Sequence, residues 1–118
     1  MPNKAYRKGY TFEIYVANYL RRSGFYVVRS AGSHGVFDLI AIYHGQIYGI
    51  QCKTNGRLLH KELTEIVKTA EKHGIIPFLA FRDKRRVKIA NLLTSECVTL
   101  KQFVQQVVNN DLHVFINA

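Results

Sequence analysis

The sequence predicts a mixed α/β fold, in which helices flank a central β-sheet. Two observations predict it: apolar residues recur at helical spacing in three segments, and short apolar runs bounded by turn residues alternate with those segments. In chain order the predicted elements are αβββαβ, followed by βα. A chain of 118 residues, 47% of them hydrophobic, is long enough to bury one modest core. We therefore expect a single domain over residues 1–118.

Three segments have the pattern of helices. The first spans residues 10–23 (YTFEIYVANYLRRS) and ends at Ser23-Gly24; Phe12, Tyr15, Val16, Tyr19 and Leu20 recur in it at helical spacing. The second spans residues 58–74 (LLHKELTEIVKTAEKHG) and ends at Gly74; its inward side chains are predicted to be Leu59, Leu63, Ile66, Val67 and Ala70. The third, over residues 99–110 (TLKQFVQQVVNN), is predicted to be short.

Six short segments are predicted to be strands. They are residues 25–30 (FYVVRS), 37–43 (FDLIAIY), 46–53 (QIYGIQCK), 75–81 (IIPFLAF), 86–91 (RVKIAN) and 113–117 (HVFIN). His44-Gly45 is a hairpin turn signal between the second and third of these strands, and residues 82–85 (RDKR) form a polar turn between the fourth and fifth. Residues 31–35 (AGSHG) are predicted to be a loop.

The charge balance indicates a polyanionic partner. Lys and Arg number 17 against 8 Asp and Glu, which gives a formal net charge of +9 and a pI near 9.8. A merely solvated basic surface is the alternative, but for so small a domain nucleic acid is the favoured partner, because each neutralised phosphate releases counterions.

Composition also excludes several classes. No apolar run reaches the roughly 18 residues of a transmembrane helix, and no apolar segment follows the basic residues near the N-terminus, so neither a membrane span nor a secretory signal is expected. Cys52 and Cys97 have no metal-ligand or disulfide spacing, and we expect both to be small buried residues. A reducing cytoplasm is the expected location.

Two charges stand inside apolar strands and require an explanation. Alternate residues of a strand share a face, so Gln51 and Lys53 point to the same side. If the hairpin turns at His44-Gly45, Asp38 lies opposite Gln51 or a close neighbour. The three side chains would then cluster at one end of the hairpin. Because a buried carboxylate is costly unless it is paired or binds metal, two interpretations remain: an Asp38–Lys53 salt bridge, or a metal site with a lysine beside it.

The metal interpretation indicates a nuclease. Mg²⁺ prefers oxygen ligands, commonly one or two carboxylates, and completes its shell with water and substrate phosphate. A neighbouring lysine stabilises the negative charge that develops on phosphorus during hydrolysis. In a strongly basic protein, such a site predicts metal-dependent cleavage of nucleic acid.

Several segments resemble the PD-(D/E)XK nuclease superfamily, and within it the archaeal-type Holliday junction resolvases, which are also found in viruses. The segments are RKGYTFE, GFYVVRSAGSHGVFDLIAIYHGQIYGIQCK and GIIPFLAFR, which together cover most of residues 7–82. The resemblance implies a restriction-endonuclease-like mixed central sheet flanked by helices with an αβββαβ core. It also implies a homodimer whose two sites cut opposing strands of a four-way DNA junction with Mg²⁺ or Mn²⁺.

The resemblance assigns roles to particular residues. Asp38 matches the metal-ligating Asp and Lys53 the catalytic Lys, while Glu13 matches a helix Glu that helps to hold a metal or its water. Ser33 matches the Ser of a loop near the scissile phosphate, and Arg29 a basic residue beside that loop. The Gln51 side-chain oxygen and the Cys52 backbone carbonyl are the further expected ligands. Residues expected to contact DNA are Arg7, Lys8, Arg21, Arg22, Arg29 and His34.

The chain departs from the family pattern in three places. Gln51 stands where the family usually has Glu, so the site has one charge fewer and weaker cation binding is expected. Lys61-Glu62-Leu63 stands where the family usually shows a Glu-Gln pair, and Phe37 replaces a frequent Pro before Asp38. Two other functions therefore stay open: a restriction- or repair-type nuclease that cuts ordinary duplex, and a non-catalytic DNA-binding module on the same fold.

Overall fold

A computed structural model describes residues 4–30 and 35–116 of the chain, with side chains for residues 7–30 and 35–110. This part contains a six-stranded sheet and three helices. The elements are α1 (Lys4–Arg22), β1 (Tyr26–Arg29), β2 (Leu39–Tyr43), β3 (Gln46–Cys52), α2 (His60–His73), β4 (Ile76–Asp83), β5 (Arg86–Asn91), β6 (Cys97–Thr99) and α3 (Leu100–Ile116). The mixed α/β architecture and the αβββαβ order predicted from the sequence are confirmed.

The strands lie in chain order across the sheet, from β1 to β6. Every neighbouring pair is antiparallel except β3 and β4, which run parallel. Two parallel strands need a long crossover, and α2 provides it. This crossover brings the first turn of α2 close to the end of β3, where the candidate site lies.

The β2–β3 hairpin has the predicted register. Leu39 pairs with Ile50 and Tyr43 with Gln46, and the Asp38 N–H donates to the Ile50 carbonyl at 2.9 Å. His44 (φ 46°) and Gly45 (φ 82°) both adopt positive φ, as a two-residue type I′ turn requires. Extending this register by one pair places Asp38 opposite Gln51.

Two apolar layers cover the sheet, one on each face. α1 and α3 pack on one face through residues such as Leu20 and Phe103, and α2 packs on the other through Ile66 and Ala70. The Phe37 ring lies directly on Gly49, so closely that an added Cβ at Gly49 would sit 2.7 Å from three ring carbons. Phe37, the residue immediately before Asp38, thereby occupies the space that a side chain at position 49 on β3 would fill.

The C-terminal strand predicted over residues 113–117 is wrong, because α3 continues to Ile116; Asn117 lies outside the described residues. Leu100, Phe103, Val104 and Val107 recur at helical spacing and pack on the sheet. No Gly or Pro interrupts residues 100–116, so nothing in this segment stops the helix. The short strand β6, which pairs with β5, was not predicted.

Two burial predictions are also wrong. Leu59 is 68% exposed, because it precedes α2 with an extended backbone (φ −70°, ψ 148°) and does not lie on the inward face of the helix. Cys97 is exposed at the start of the edge strand β6, whereas Cys52 is half-buried in β3. Among the described residues, no helix combines the length and the apolar character that crossing a membrane requires.

Candidate active site

Asp38 is fixed against the end of β3. The Cys52 N–H donates to Asp38 Oδ2 at 2.9 Å, so the carboxylate bonds to the neighbouring strand. Burial raises the pKa of Asp38 above its usual range, and the Glu62 carboxylate raises it further. The Cys52 hydrogen bond and the positive charges of Lys53 and Arg29 oppose that rise in pKa. The carboxylate is thus partly desolvated and lies near two cationic side chains. A carboxylate in such surroundings is a candidate ligand for a metal ion.

Glu13 approaches the same place from α1. Arg29 Nε donates to Glu13 Oε2 at 3.1 Å, and both side chains are largely buried. Burial is the main cause of the raised pKa of Glu13, the negative charge of Asp38 adds to it, and Arg29 counteracts it. The Arg29 guanidinium also lies over the Tyr10 ring, 4.7 Å from its centroid. The helix and β1 therefore bring a second carboxylate into the electrostatic range of Asp38.

The negative charges of both carboxylates, Asp38 and Glu13, act on Cys52. Burial raises the pKa of its thiol, and the charges of Asp38 and Glu13 raise that pKa further. The side chain is therefore a neutral thiol at physiological pH, and a thiolate ligand is disfavoured. The backbone carbonyl of Cys52 therefore remains the ligand expected from this residue.

Lys53 forms its ion pair with a residue that the sequence analysis did not place in the site. Its Nζ lies 2.9 Å from Glu62 Oε2, at the first turn of α2. Within the described residues Lys53 forms no ion pair with Asp38, so the simple Asp38–Lys53 salt bridge considered above is wrong. The one local signal for Glu62 was its place three residues after the residue that precedes α2, which is typical of a capping carboxylate.

Gln51 faces the start of α2. It is half-buried and lines a cleft of about 250 Å³ together with Gly35, Val36, Lys61, Glu62, Glu65 and Ile66. The paired register ends at Leu39 and Ile50, so Gln51 and Asp38 are the next residues at the same end of the hairpin, as predicted. The amide therefore stands on the α2 side of the site, whereas Glu13 approaches from the α1 side.

A basic groove of about 570 Å³ opens beside Lys53. It is lined by Lys8, Gly9, Cys52, Lys53, Thr54, Asn55, Arg82 and Lys84, and none of these residues is acidic. The Arg82 N–H donates to the Thr54 carbonyl at 3.0 Å. The Arg82 guanidinium lies over the rings of Phe12 and Tyr15, at 5.2 and 5.5 Å from their centroids. The β4–β5 hairpin is thus anchored next to the site, and Arg82 and Lys84 are exposed there.

The predicted DNA-contacting residues do not form one patch. Arg7 and Lys8 are exposed near the start of α1, and Lys8 lines the basic groove. Arg21 and Arg22 lie in the last turn of the same helix. At 1.5 Å per residue, they are about 20 Å from Lys8 along the axis. Ser33 and His34 lie outside the described residues.

The residues present fit a hard divalent cation. Among residues 7–30 and 35–110, whose side chains the structure describes, no three His, Cys, Asp or Glu side chains are arranged to hold a metal. Asp38 and Glu13, however, are partly buried carboxylates. Burial is the main cause of the raised pKa of Glu13 and the negative charge of Asp38 adds to it, so a cation between the two carboxylates would relieve that repulsion. Carboxylate, amide and carbonyl oxygens are the donors that Mg²⁺ and Mn²⁺ accept, with water completing the shell.

Known proteins share both the sequence and the fold. The profile of the archaeal Holliday junction resolvase (Hjc) family matches residues 4–112. The crossover junction endodeoxyribonuclease Hjc of Methanocaldococcus jannaschii is 40% identical over 81 residues, which span 65% of this chain and 60% of that protein. The Holliday junction resolvase Hjc of Archaeoglobus fulgidus has a similar structure, with a TM-score of 0.63 and 24% identity over 73% of this chain and 74% of that chain.

Proposed function

Since the chain belongs to the archaeal Holliday junction resolvase family, we propose that it is an endonuclease that resolves four-way DNA junctions by metal-dependent phosphodiester hydrolysis. Nucleases of this family are generally metal-dependent. The observation that supports the proposal best is the arrangement at the end of β3. Asp38 is hydrogen-bonded there to the Cys52 N–H, Lys53 follows in sequence, and Glu13 lies within electrostatic range.

Mg²⁺ or Mn²⁺ would be held by Asp38, Glu13, the Gln51 side-chain oxygen and the Cys52 carbonyl. When bound, the ion would lower the pKa of a water molecule and neutralise charge on the scissile phosphate. Gln51 supplies an oxygen without a charge, so cation binding should be weaker than with Glu at that position. Arg29 holds Glu13 in place through their hydrogen bond.

Lys53 is proposed to act on the phosphate itself. Lys53 lines the basic groove and its side chain is partly exposed, so its ammonium could donate hydrogen bonds to the phosphate oxygens as negative charge develops there. We assign Ser33 to the same phosphate on the basis of the family resemblance alone, and His34 because it follows Ser33 in the glycine-containing loop.

The basic groove is proposed to hold the DNA backbone on the approach to the site. Lys8, Arg82 and Lys84 line it and contribute three positive charges besides Lys53. Groups that contact phosphate position DNA without reading its sequence, so selectivity for junctions would depend on their shape. A domain with one site cuts one strand, and symmetrical resolution of a junction therefore requires two copies, so we propose a homodimer.

The proposal is tested by incubating the protein with a synthetic four-way junction and with a linear duplex of the same arm sequence. Each substrate is combined with Mg²⁺, Mn²⁺ or EDTA. We expect paired cuts on opposing strands of the junction in either metal, none in EDTA, and little cutting of the duplex. Equal cutting of the duplex would favour a restriction- or repair-type nuclease. Tight binding without cutting in both metals would favour a non-catalytic DNA-binding module, which the loss of a carboxylate at Gln51 makes the second candidate.

A further inference from the structure

Glu62 joins two parts of the molecule through one carboxylate. Its Oε2 lies 2.9 Å from Lys53 Nζ, and its Oε1 accepts a hydrogen bond from the Leu59 N–H at 3.1 Å. The second contact satisfies one of the free N–H groups at the start of α2. The first contact reaches the residue that follows β3. The position of the lysine ammonium is thereby tied to the first turn of the crossover helix.

The backbone of Lys53 is already fixed on both sides. Its N–H donates to the Ala80 carbonyl at 2.9 Å, and its carbonyl accepts from the Gly56 N–H at 2.8 Å. A long lysine side chain retains many rotamers even when its backbone is fixed. Glu62 supplies the contact that selects among them, and it lowers the entropy that Lys53 would lose on meeting a phosphate.

The ion pair with Glu62 does not use all the hydrogen-bond donors of Lys53. An ammonium has three donors, so two remain when one is bonded to Glu62. The Lys53 side chain is 31% exposed, and Lys53 lines the basic groove that is proposed to hold DNA, so these donors would be available to a phosphate there. The charges of Lys53 and Glu62 also act in opposite directions on the pKa of Asp38. All three side chains therefore lie within one electrostatic neighbourhood.

We infer that Glu62 is a positioning residue, which holds the Lys53 ammonium beside Asp38 and directs its free donors toward the scissile phosphate. This inference rests on the proposed role of Lys53 in cleavage. The carboxylate partner of Lys53 thus comes from α2, whereas β3 carries the uncharged Gln51 at this site. The Glu62 side chain does not need to touch the substrate.

The test is a double-mutant cycle of Glu62→Gln and Lys53→Ala on junction cleavage. The amide oxygen of the substituted side chain still accepts from the Leu59 N–H, so the start of α2 is retained while the charge that holds Lys53 is lost. Single-turnover rates are measured with saturating protein, and junction Kd and thermal unfolding are measured in EDTA. Glu71→Gln, an exposed position on the same helix, is the control for the change in net charge.

We expect Glu62→Gln to lower the cleavage rate about tenfold with Kd changed less than about twofold, and Lys53→Ala to lower the rate about 100-fold. The double variant should be no slower than Lys53→Ala, and Glu71→Gln should cleave normally. The same tenfold loss in the Lys53→Ala background, or a loss that follows a lower Tm, would mean that Glu62 only caps α2 and would overturn the inference. Normal cleavage by Lys53→Ala would instead refute the role of Lys53 and the inference with it. Absence of junction cleavage by the wild type would refute the proposed function.

Discussion

At the scale of single residues, the site is assembled from groups that each have an electrostatic cost. Asp38 and Glu13 both have raised pKa values, chiefly because burial disfavours their charged forms. A raised pKa in the folded state means that folding favours the protonated carboxyl. As pH rises through that folded pKa, ionisation of the carboxyl reduces stability. In the protein without metal, the negative charges of these two carboxylates are therefore unfavourable, and a bound cation would compensate them.

Asp38→Asn tests this balance. The amide oxygen of Asn can still accept from the Cys52 N–H, so we expect the variant without metal to be more stable than the wild type at pH 7, with Tm raised by a few degrees. Cleavage should be lost and junction binding kept or tightened, because a negative charge near the phosphates is removed. Addition of Mn²⁺ should raise the Tm of the wild type and leave that of the variant unchanged. Cleavage by the variant at a rate close to that of the wild type would contradict the proposed role.

Gln51→Glu addresses the departure from the family pattern. Glu has nearly the same shape and adds a carboxylate opposite Asp38, so the Mg²⁺ concentration for half-maximal cleavage should fall by about three- to tenfold. Gln51→Ala should raise it or abolish cleavage, with junction affinity unchanged at fixed salt. Gln46→Glu, an exposed position at the other end of β3, controls for added charge. Superimposable Mg²⁺ titrations of all four proteins would exclude Gln51 from the metal shell.

At the scale of elements, local patterns were informative wherever one face of an element is buried. The turn at His44-Gly45 predicted the β2–β3 register, and with it the place of Asp38 and Gln51 at the same end of the hairpin. The full length of α3 was missed although no Gly or Pro interrupts residues 100–116, whereas the strand β6 was not predictable in this way. A three-residue edge strand has almost no periodicity of its own, and it forms because β5 offers free backbone groups.

Contacts between elements were the other limit. The sequence indicated Lys53 and Asp38, but nothing local to β3 showed that the lysine partner would come from α2. That contact depends on where the crossover begins, which is a property of the packed sheet. The pairing of Glu13 with Arg29 likewise depends on how α1 lies across β1. Candidate residues were therefore predictable from the sequence, whereas their partners required the fold.

The β4–β5 hairpin is the element that we expect to position DNA. Arg82→Ala and Lys84→Ala should each weaken junction binding, and each should reduce the slope of log affinity against log salt by about 1, because one phosphate contact is lost. Lys72→Ala, in the last turn of α2 and about 15 Å along the helix axis from Glu62, is the matched control and should have a smaller effect. Affinities are measured in EDTA over a series of salt concentrations. Equal salt slopes for all four proteins would place the DNA elsewhere.

At the scale of the whole molecule, the formal net charge of +9 is large for a chain of 13.6 kDa. It predicts fast, salt-sensitive association with any DNA, so selectivity must come from geometry rather than from affinity alone. The basic groove and the far end of α1 lie on different parts of the surface. Separated basic regions suit a branched substrate whose arms diverge.

The proposed homodimer predicts how mixed assemblies behave. Light scattering should give a mass of twice 13.6 kDa for the free protein. Dimers of one wild-type and one Asp38→Asn protomer should nick one strand of each junction, because each protomer would cut its own strand. A monomer mass with or without the junction, or paired cuts by mixed dimers, would refute this arrangement.

The contact between Phe37 and Gly49 has a consequence for how the sequence can vary. A side chain at Gly49 would collide with the Phe37 ring, and the ring is attached to the residue just before Asp38. The two positions therefore form one steric unit, although eleven residues separate them in the chain. In a library randomised at both, functional clones should combine an aromatic at 37 with glycine at 49, or a small residue at 37 with a side chain at 49. The requirement to keep Asp38 in place would then appear as covariation between residues 37 and 49, although neither takes part in catalysis.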